Sequence, residues 1–257
     1  MRLDKAVFLR GLAQSRSRAE QLIASGDVFV NGLPVNKTSY SVEESDRILV
    51  RDSIGYVGRG GLKLEYALDT FKIVCRGKKA LDIGASTGGF TQCLLRRGVQ
   101  KVVAVDVGHG QMAPELIEDP RVVLLENTNA RYLTPEMIGG KAELAVVDVS
   151  FISQTALYPA LFSCMEELAP VITLVKPQFE AGSRYLNKKG VIKDPAVYPK
   201  VLEAIDRCAR ALGRGVKKVC SSPVLGGDGN REFLILLEKD APKQNFEAVE
   251  NDIGRWR

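Results

Sequence analysis

Apolar positions recur along this chain in two rhythms, and the change of rhythm divides it. Leu3, Val7 and Leu12 mark one face of a predicted first helix. Ala19, Leu22 and Ile23, with Ser17 and Glu20 as a capping pair, predict a second helix that ends at Gly26. Asp27-Val28-Phe29-Val30 then reads as a strand running into Asn31-Gly32, a strong hairpin signal, and Ile48–Val50 reads as another strand. Residues 55–61 carry four glycines and no periodicity, which predicts a linker. The expected organisation is a small α/β unit over 1–54, a linker over 55–61, a larger unit over 62–240 and a polar tail over 241–257.

Beyond the linker, short continuous apolar runs alternate with helical segments. Leu64, Ala67, Leu68 and Phe71 share a helix face, with Lys63 near its start. Apolar runs at 80–83, 102–105, 122–125, 144–147, 171–175 and 233–237 predict strands buried on both faces. The fold class is therefore α/β, with a mainly parallel, doubly wound sheet preceded by a small α/β domain.

Composition narrows the function classes. With 257 residues, 45% of them hydrophobic, the chain is long enough to bury a sizeable core, and disorder is not expected. Lys and Arg number 36 against 31 Asp and Glu, so the formal charge of +5 permits a polyanionic partner without requiring one. The five cysteines (Cys75, Cys93, Cys164, Cys208, Cys220) form no Cys-x-x-Cys pair, and His109 stands alone. Neither a disulfide framework nor a bound metal is expected. Asp4 lies where a signal peptide would be basic and no apolar run approaches membrane-spanning length, so the expected location is cytoplasmic and no membrane partner is expected.

The sharpest local pattern is Asp82-Ile83-Gly84-Ala85-Ser86-Thr87-Gly88-Gly89-Phe90, between the first strand of the larger unit and its helix. Glycines there let the backbone turn tightly and approach a ligand at the strand's carboxyl end. Ser86 stands where a dinucleotide fingerprint has its middle glycine, which weakens a nicotinamide-cofactor reading. Asp82 suits a cationic ligand such as S-adenosylmethionine better than a pyrophosphate. Asp106 closes the next strand, where a carboxylate can accept both hydroxyls of a ribose. Asp148 and Lys176 end two further strands and therefore face the same crevice.

Taken in order, Arg59-Gly60-Gly61-Leu62-Lys63-Leu64, the stretch from Asp82 to Phe90, Asp148-Val149-Ser150-Phe151-Ile152-Ser153 and Val175-Lys176-Pro177-Gln178-Phe179-Glu180 resemble the TlyA family. Its members are ribosomal RNA 2'-O-methyltransferases with an FtsJ-like catalytic domain, historically also called haemolysins. The resemblance implies a Rossmann-like methyltransferase using S-adenosylmethionine on ribosomal RNA, with cytidine ribose as its target. It places the catalytic tetrad on Lys63, Asp148, Lys176 and Glu232. It places the cofactor site on Asp82, Gly84, Ala85, Ser86, Gly88, Gly89, Phe90, Asp106 and Asp148, with Asn129 beside the adenine. Methyl transfer to a ribose hydroxyl needs an oriented oxygen whose proton leaves. Lys176 is thus expected to be the base or the hydroxyl-positioning group, its proton loosened by partial desolvation and a neighbouring lysine. Asp148 is expected to orient it, Lys63 to supply positive field and Glu232 to accept a hydrogen bond.

The first unit resembles the RNA-binding fold named after ribosomal protein S-four, through Arg2-Leu3-Asp4-Lys5, Ser15-Arg16-Ser17-Arg18-Ala19 and residues 26–32. Residues 1–40 hold six bases against three acids. Arg16 and Arg18 near a helix N-terminus oppose its macrodipole, a cost that a phosphate partner would offset. Candidate RNA contacts are Arg2, Lys5, Arg16, Arg18, Lys37, Arg59, Arg184, Lys188 and Lys189. The last three belong to a basic loop with Tyr185 that reads equally as a mobile rim meeting RNA and as a plain exposed loop. Two competing readings are a membrane-active haemolysin, suggested only by the family's older name, and an RNA-binding module with a decayed catalytic fold. The first lacks a spanning segment or strongly amphipathic helix in the sequence, and the second is disfavoured because all four tetrad positions are occupied.

Overall fold

In the computed structural model of the chain, the described residues are 1–247 without 14, 25, 51–55 and 227–228; the side chains of Arg18 and Gln21 are not among them. Helices α1 (Leu3–Leu9) and α2 (Arg16–Ala24) belong with an antiparallel sheet of order β2-β1-β3, formed by β1 (Val28–Val30), β2 (Leu33–Pro34) and β3 (Ile48–Val50). Leu3, Val7, Leu22, Ile23, Val28, Val30 and Ile48 make its core. The hairpin forms at Asn31-Gly32, where both residues have positive φ (51° and 82°), the conformation that a two-residue turn of matching twist requires. Two helix expectations shift. α1 ends at Leu9, so Leu12 packs on the core from the following turn, and α2 begins at Arg16, which leaves Ser17 inside the helix instead of capping it.

The larger unit is a seven-stranded sheet of order β6-β5-β4-β7-β8-β10-β9. Its strands are β4 (Lys79–Ile83), β5 (Lys101–Val105), β6 (Val122–Leu125), β7 (Leu144–Val147), β8 (Val171–Val175), β9 (Arg214–Ser221) and β10 (Phe233–Lys239). β4 to β8 are parallel, while β10 runs antiparallel to both β8 and β9. Helices α3 (Gly60–Phe71), α4 (Gly89–Arg96), α5 (Pro114–Ile117), α6 (Tyr158–Ser163), α7 (Pro177–Glu180) and α8 (Val197–Arg210) connect or cover the strands. Successive strand residues feed different cores: Leu81, Ile83, Val103, Val105, Ala145 and Val147 one, and Ala80, Val102, Ala104, Leu144 and Val146 the other. That alternation explains the continuous apolar runs, because both faces of a central parallel strand are covered. The strand order reverses between β4 and β7, and ligand crevices form at such a point outside the strands' carboxyl ends.

Three expectations are corrected. The stretch expected to be a linker is packed from Tyr56 onward: Tyr56 is buried, Val57 N–H donates to Gln92 Oε1, and α3 already starts at Gly60. Residue 55 lies outside the described residues. β9 was not expected, since its Lys217 and Lys218 break the apolar run; it is the edge strand beside β10. The tail is partly structural, with Phe246 fully buried in the larger core and Arg210 donating to the carbonyls of Ala241 and Pro242. Residues 248–257 lie outside the described residues.

Candidate active site

The turn after β4 is shaped by glycine where nothing larger fits. Gly84 has φ +83°, and a Cβ there would come within 2.3 Å of the Asp148 carbonyl oxygen. Gly88, also at positive φ, precedes α4, and a Cβ would press to 2.2 Å from Leu116. Ser86, in place of a third glycine, nevertheless takes φ +47°. Its N–H donates to Asp106 Oδ2 at 2.7 Å and its hydroxyl to Gln111 Oε1, bonds that hold a conformation L side chains seldom adopt. Asp106 also accepts from Gly108 N–H through Oδ1 at 2.7 Å, so the carboxylate is fixed while its other lone pairs face the cleft.

This turn borders a cleft of about 560 Å³. Of the residues expected to hold the cofactor, Gly84, Ser86, Asp106, Asn129 and Asp148 line it. Ala85, Gly88, Gly89 and Phe90 instead lie buried behind the turn, with the Phe90 ring 3.1 Å from where a Gly60 Cβ would be. Asp82 is a clearer correction. It is fully buried in β4 and accepts from Thr91 Oγ1 at 2.7 Å, so it braces the start of α4 and presents no surface to a ligand. Burial, reinforced by the negative charges of Asp148 and Asp106 and opposed by the Thr91 hydrogen bond, pushes its carboxyl up to about 7. Sequence reasoning missed Gln111, Arg131, Ser150 and Phe151, which also line the cleft. Phe151 carried a signal: it is a large aromatic in a polar loop at a strand's carboxyl end. It proves 90% exposed, with φ +64°.

The four tetrad residues form two ion pairs at the end of the sheet where β7 and β8 finish and β10 begins. Lys176, just past β8, approaches Asp148 Oδ1 at 2.6 Å and donates to Ser150 Oγ at 2.7 Å. The Asp148 approach lies off the line of a hydrogen bond, so it is an ionic contact, and Ser150 receives the directed bond. Lys63, in the first turns of α3, donates to Glu232 Oε2 at 2.5 Å, both side chains being buried. Strand register explains the meeting. Phe233 pairs with Val175, so Glu232 and Lys176 are each one residue beyond that pair, and Asp148 follows β7 alongside. A Cβ on Gly60 would sit 3.8 Å from Asp148 Oδ2, which brings the start of α3 to the same end of the sheet.

The basic residues behave differently from one another. Arg2 and Arg16 both bond the fully covered Asp4, at 3.0 and 2.6 Å, and hold its carboxyl well below the usual range, Arg2 most strongly. The cost of a cation in the first turn of α2 is thus offset within the chain, where a phosphate was expected to offset it. The Arg18 side chain lies outside the described residues. Lys5, Lys37, Arg184, Lys188 and Lys189 are exposed, and Arg59 is partly exposed ahead of α3. The basic loop carries its own ties: Leu186 bridges Ile192, Asn187 Oδ1 accepts from Lys189 and Val191 N–H, and buried Asn230 bonds Ile192 and Gly190. All five cysteines are free thiols.

The doubly wound sheet, the glycine turn beside a strand-end carboxylate and the paired lysines and acids define a methyltransferase of the FtsJ-like class. The model of the FtsJ-like methyltransferase family matches residues 56–239, and that of the S4 domain matches residues 1–48. The chain belongs to the FtsJ-like methyltransferases, in their TlyA branch. It is 46% identical over 238 residues to the 16S/23S rRNA (cytidine-2'-O)-methyltransferase TlyA of Mycobacterium tuberculosis, spanning 92% of this chain and 89% of that one. Hemolysin A of Brachyspira hyodysenteriae is 43% identical over 91% of this chain and 98% of its own. A solved structure from Streptococcus thermophilus, described as a candidate hemolysin, superposes with a TM-score of 0.77 at 36% identity, covering 100% of this chain and 95% of that one. Haemolysin names and methyltransferase names therefore fall within one family. Among the described residues no helix is long and apolar enough to cross a membrane.

Proposed function

We propose that the chain is an S-adenosylmethionine-dependent 2'-O-methyltransferase of ribosomal RNA, acting on a cytidine ribose. The observation that carries this reading is the contact of Lys176 with Asp148 and Ser150, two residues that line the same cleft as Asp106 and Gly84, although Lys176 itself is not among the lining residues. The cleft suits the cofactor chemically. Asp106 offers fixed carboxylate lone pairs to ribose hydroxyls, Ile83, Val105, Val107, Ile152 and Leu157 offer apolar walls, and Asp148 offers negative charge to a cation. When bound, S-adenosylmethionine supplies an electrophilic methyl group carried on a sulfonium.

The chain's own part is to bind, orient and polarise. Lys176 directs one N–H to Ser150 and is held beside Asp148 by charge alone, which leaves ammonium donors for a ribose hydroxyl at the cleft mouth. Lys63, neutralised by Glu232, fixes the start of α3 behind Asp148 and adds little net charge. Phe151 presents an open aromatic face beside the cleft, on which an unpaired base can stack. Exposed Lys5, Lys37, Arg184, Lys188 and Lys189, with half-exposed Arg2 and Arg16, support an RNA partner, as does the S4 domain. A cytoplasmic location follows from that partner.

Mass mapping of ribose methylation in ribosomal RNA, from cells with and without the protein, tests the proposal. New 2'-O-methylcytidine is expected only when the protein is present. An unchanged map, together with no transfer to purified subunits, would remove ribosomal RNA as the substrate.

A further inference from the structure

The loops that follow β7 and β8 are joined by three successive contacts. Lys176 reaches Asp148 and Ser150; the Phe179 ring lies against Phe151 with centroids 5.1 Å apart; and Glu180 accepts Ser153 O–H at 2.6 Å and Gln154 N–H at 2.9 Å. Between the first and last of these contacts sits Phe151, which combines φ +64° with 90% exposure. A bulky side chain in the left-handed region is costly, and it persists only where its flanks are over-determined. Lys176 fixes the upstream flank. The downstream flank is a short 3-10 helix (Gln154–Leu157), and Glu180 grips the residue before it and its first backbone N–H.

Glu180 does not line the cleft, and both its oxygens are already engaged. Its carboxylate is therefore badly placed to touch a ligand and well placed to fix the segment that does. We infer that Glu180 is a positioning residue, clamping residues 150–154 so that Ser150 and Phe151 keep their places beside Lys176 and the cleft. This inference rests on the methyltransferase reading only for its kinetic consequence; the clamp itself is a structural claim.

The test compares full-length Glu180→Ala and Glu180→Gln by amide hydrogen exchange over residues 150–155 and by single-turnover methyl transfer to ribosomal RNA. Glutamine can accept from Gln154 N–H and donate to Ser153 Oγ, so it preserves both links. Ala is expected to speed exchange in this segment at least about tenfold and to slow transfer by about tenfold to a hundredfold, the scale of a loss of positioning of about an ångström. Gln is expected to stay within about threefold of wild type on both readouts. Ser153→Ala, which cuts one link from the other side, is expected to give an intermediate loss, and it carries the test if Glu180→Ala does not fold. Unchanged exchange or wild-type transfer in folded Glu180→Ala overturns the inference. So does a Gln variant as slow as Ala, which would give the carboxylate's charge a direct part in the chemistry. If wild-type protein methylates no ribosomal RNA, the substrate reading fails while the exchange comparison still decides the clamp.

Discussion

Replacing Lys63 by Met, alone and together with Glu232→Gln, separates what the second ion pair does for folding from what it does for activity. The pair is 6% and 4% exposed, with Nζ 2.5 Å from Oε2. At an effective dielectric constant of 20, two unit charges at that distance attract by roughly 7 kcal/mol. Desolvation costs several kcal/mol for each ion, so the net value of the intact pair is near zero. Removing one partner is different, because it strands the other charge in the interior at a cost of about 3–5 kcal/mol. At about 2–4 °C per kcal/mol for a domain of this size, Lys63→Met should lower the melting temperature by roughly 6–20 °C. The double variant should recover most of that loss. Single-turnover methyl transfer should fall in both and recover in neither, since the double variant restores packing without restoring the polar edge. Thermal unfolding of the three proteins, wild type included, with transfer rates measured well below each midpoint, reads both effects. A single variant that melts within about 1 °C of wild type, or a double variant no better than the single, would refute the coupling.

Three other outcomes follow from the geometry. Asp106→Ala removes a fixed charged acceptor from the cleft and should weaken S-adenosylmethionine binding by about tenfold to a hundredfold in calorimetry; unchanged affinity in a folded variant takes Asp106 out of the cofactor site. Lys176→Ala should bind cofactor and RNA nearly normally yet transfer methyl groups about a hundredfold to ten-thousandfold more slowly; near-normal rates in Lys176→Arg would show that fixed charge and positioning suffice, because guanidinium keeps its proton. Asp82, raised to about 7 in the fold, binds a proton there that the unfolded chain has already lost, so its contribution falls as pH rises from about 4 to 7. Asp82→Asn should therefore flatten stability over that window in urea titrations, and an identical pH profile would mean that the buried carboxyl does not titrate as argued.

What could be read from the sequence is what adjacent residues decide among themselves. Val122–Leu125, Leu144–Val147 and Val171–Val175 are strands at the boundaries their apolar runs mark, and Asn31-Gly32 turns because its backbone preference is local. The tetrad positions came from family likeness, and the site's wider membership did not. Arg214–Ser221 gave no strand signal, because what makes it a strand is the ladder with β10 at the sheet edge. Asp82 looked like a ligand group from its place at a strand's carboxyl end, yet α4 packs over it through Thr91. Arg16 seemed to need a phosphate until α1 brought Asp4 to it. The sequence by itself determined most of the strands of the larger sheet and the helix and hairpin that open the chain, β9 apart, since the hydrophobic period depends on near neighbours. Only the tertiary structure decided that Lys63 meets Glu232 across 169 positions, that Glu180 grips Ser153 and that Phe151 stands open to solvent. Charge pairing, burial and solvent access depend on distances in space, and the sheet order sets those distances.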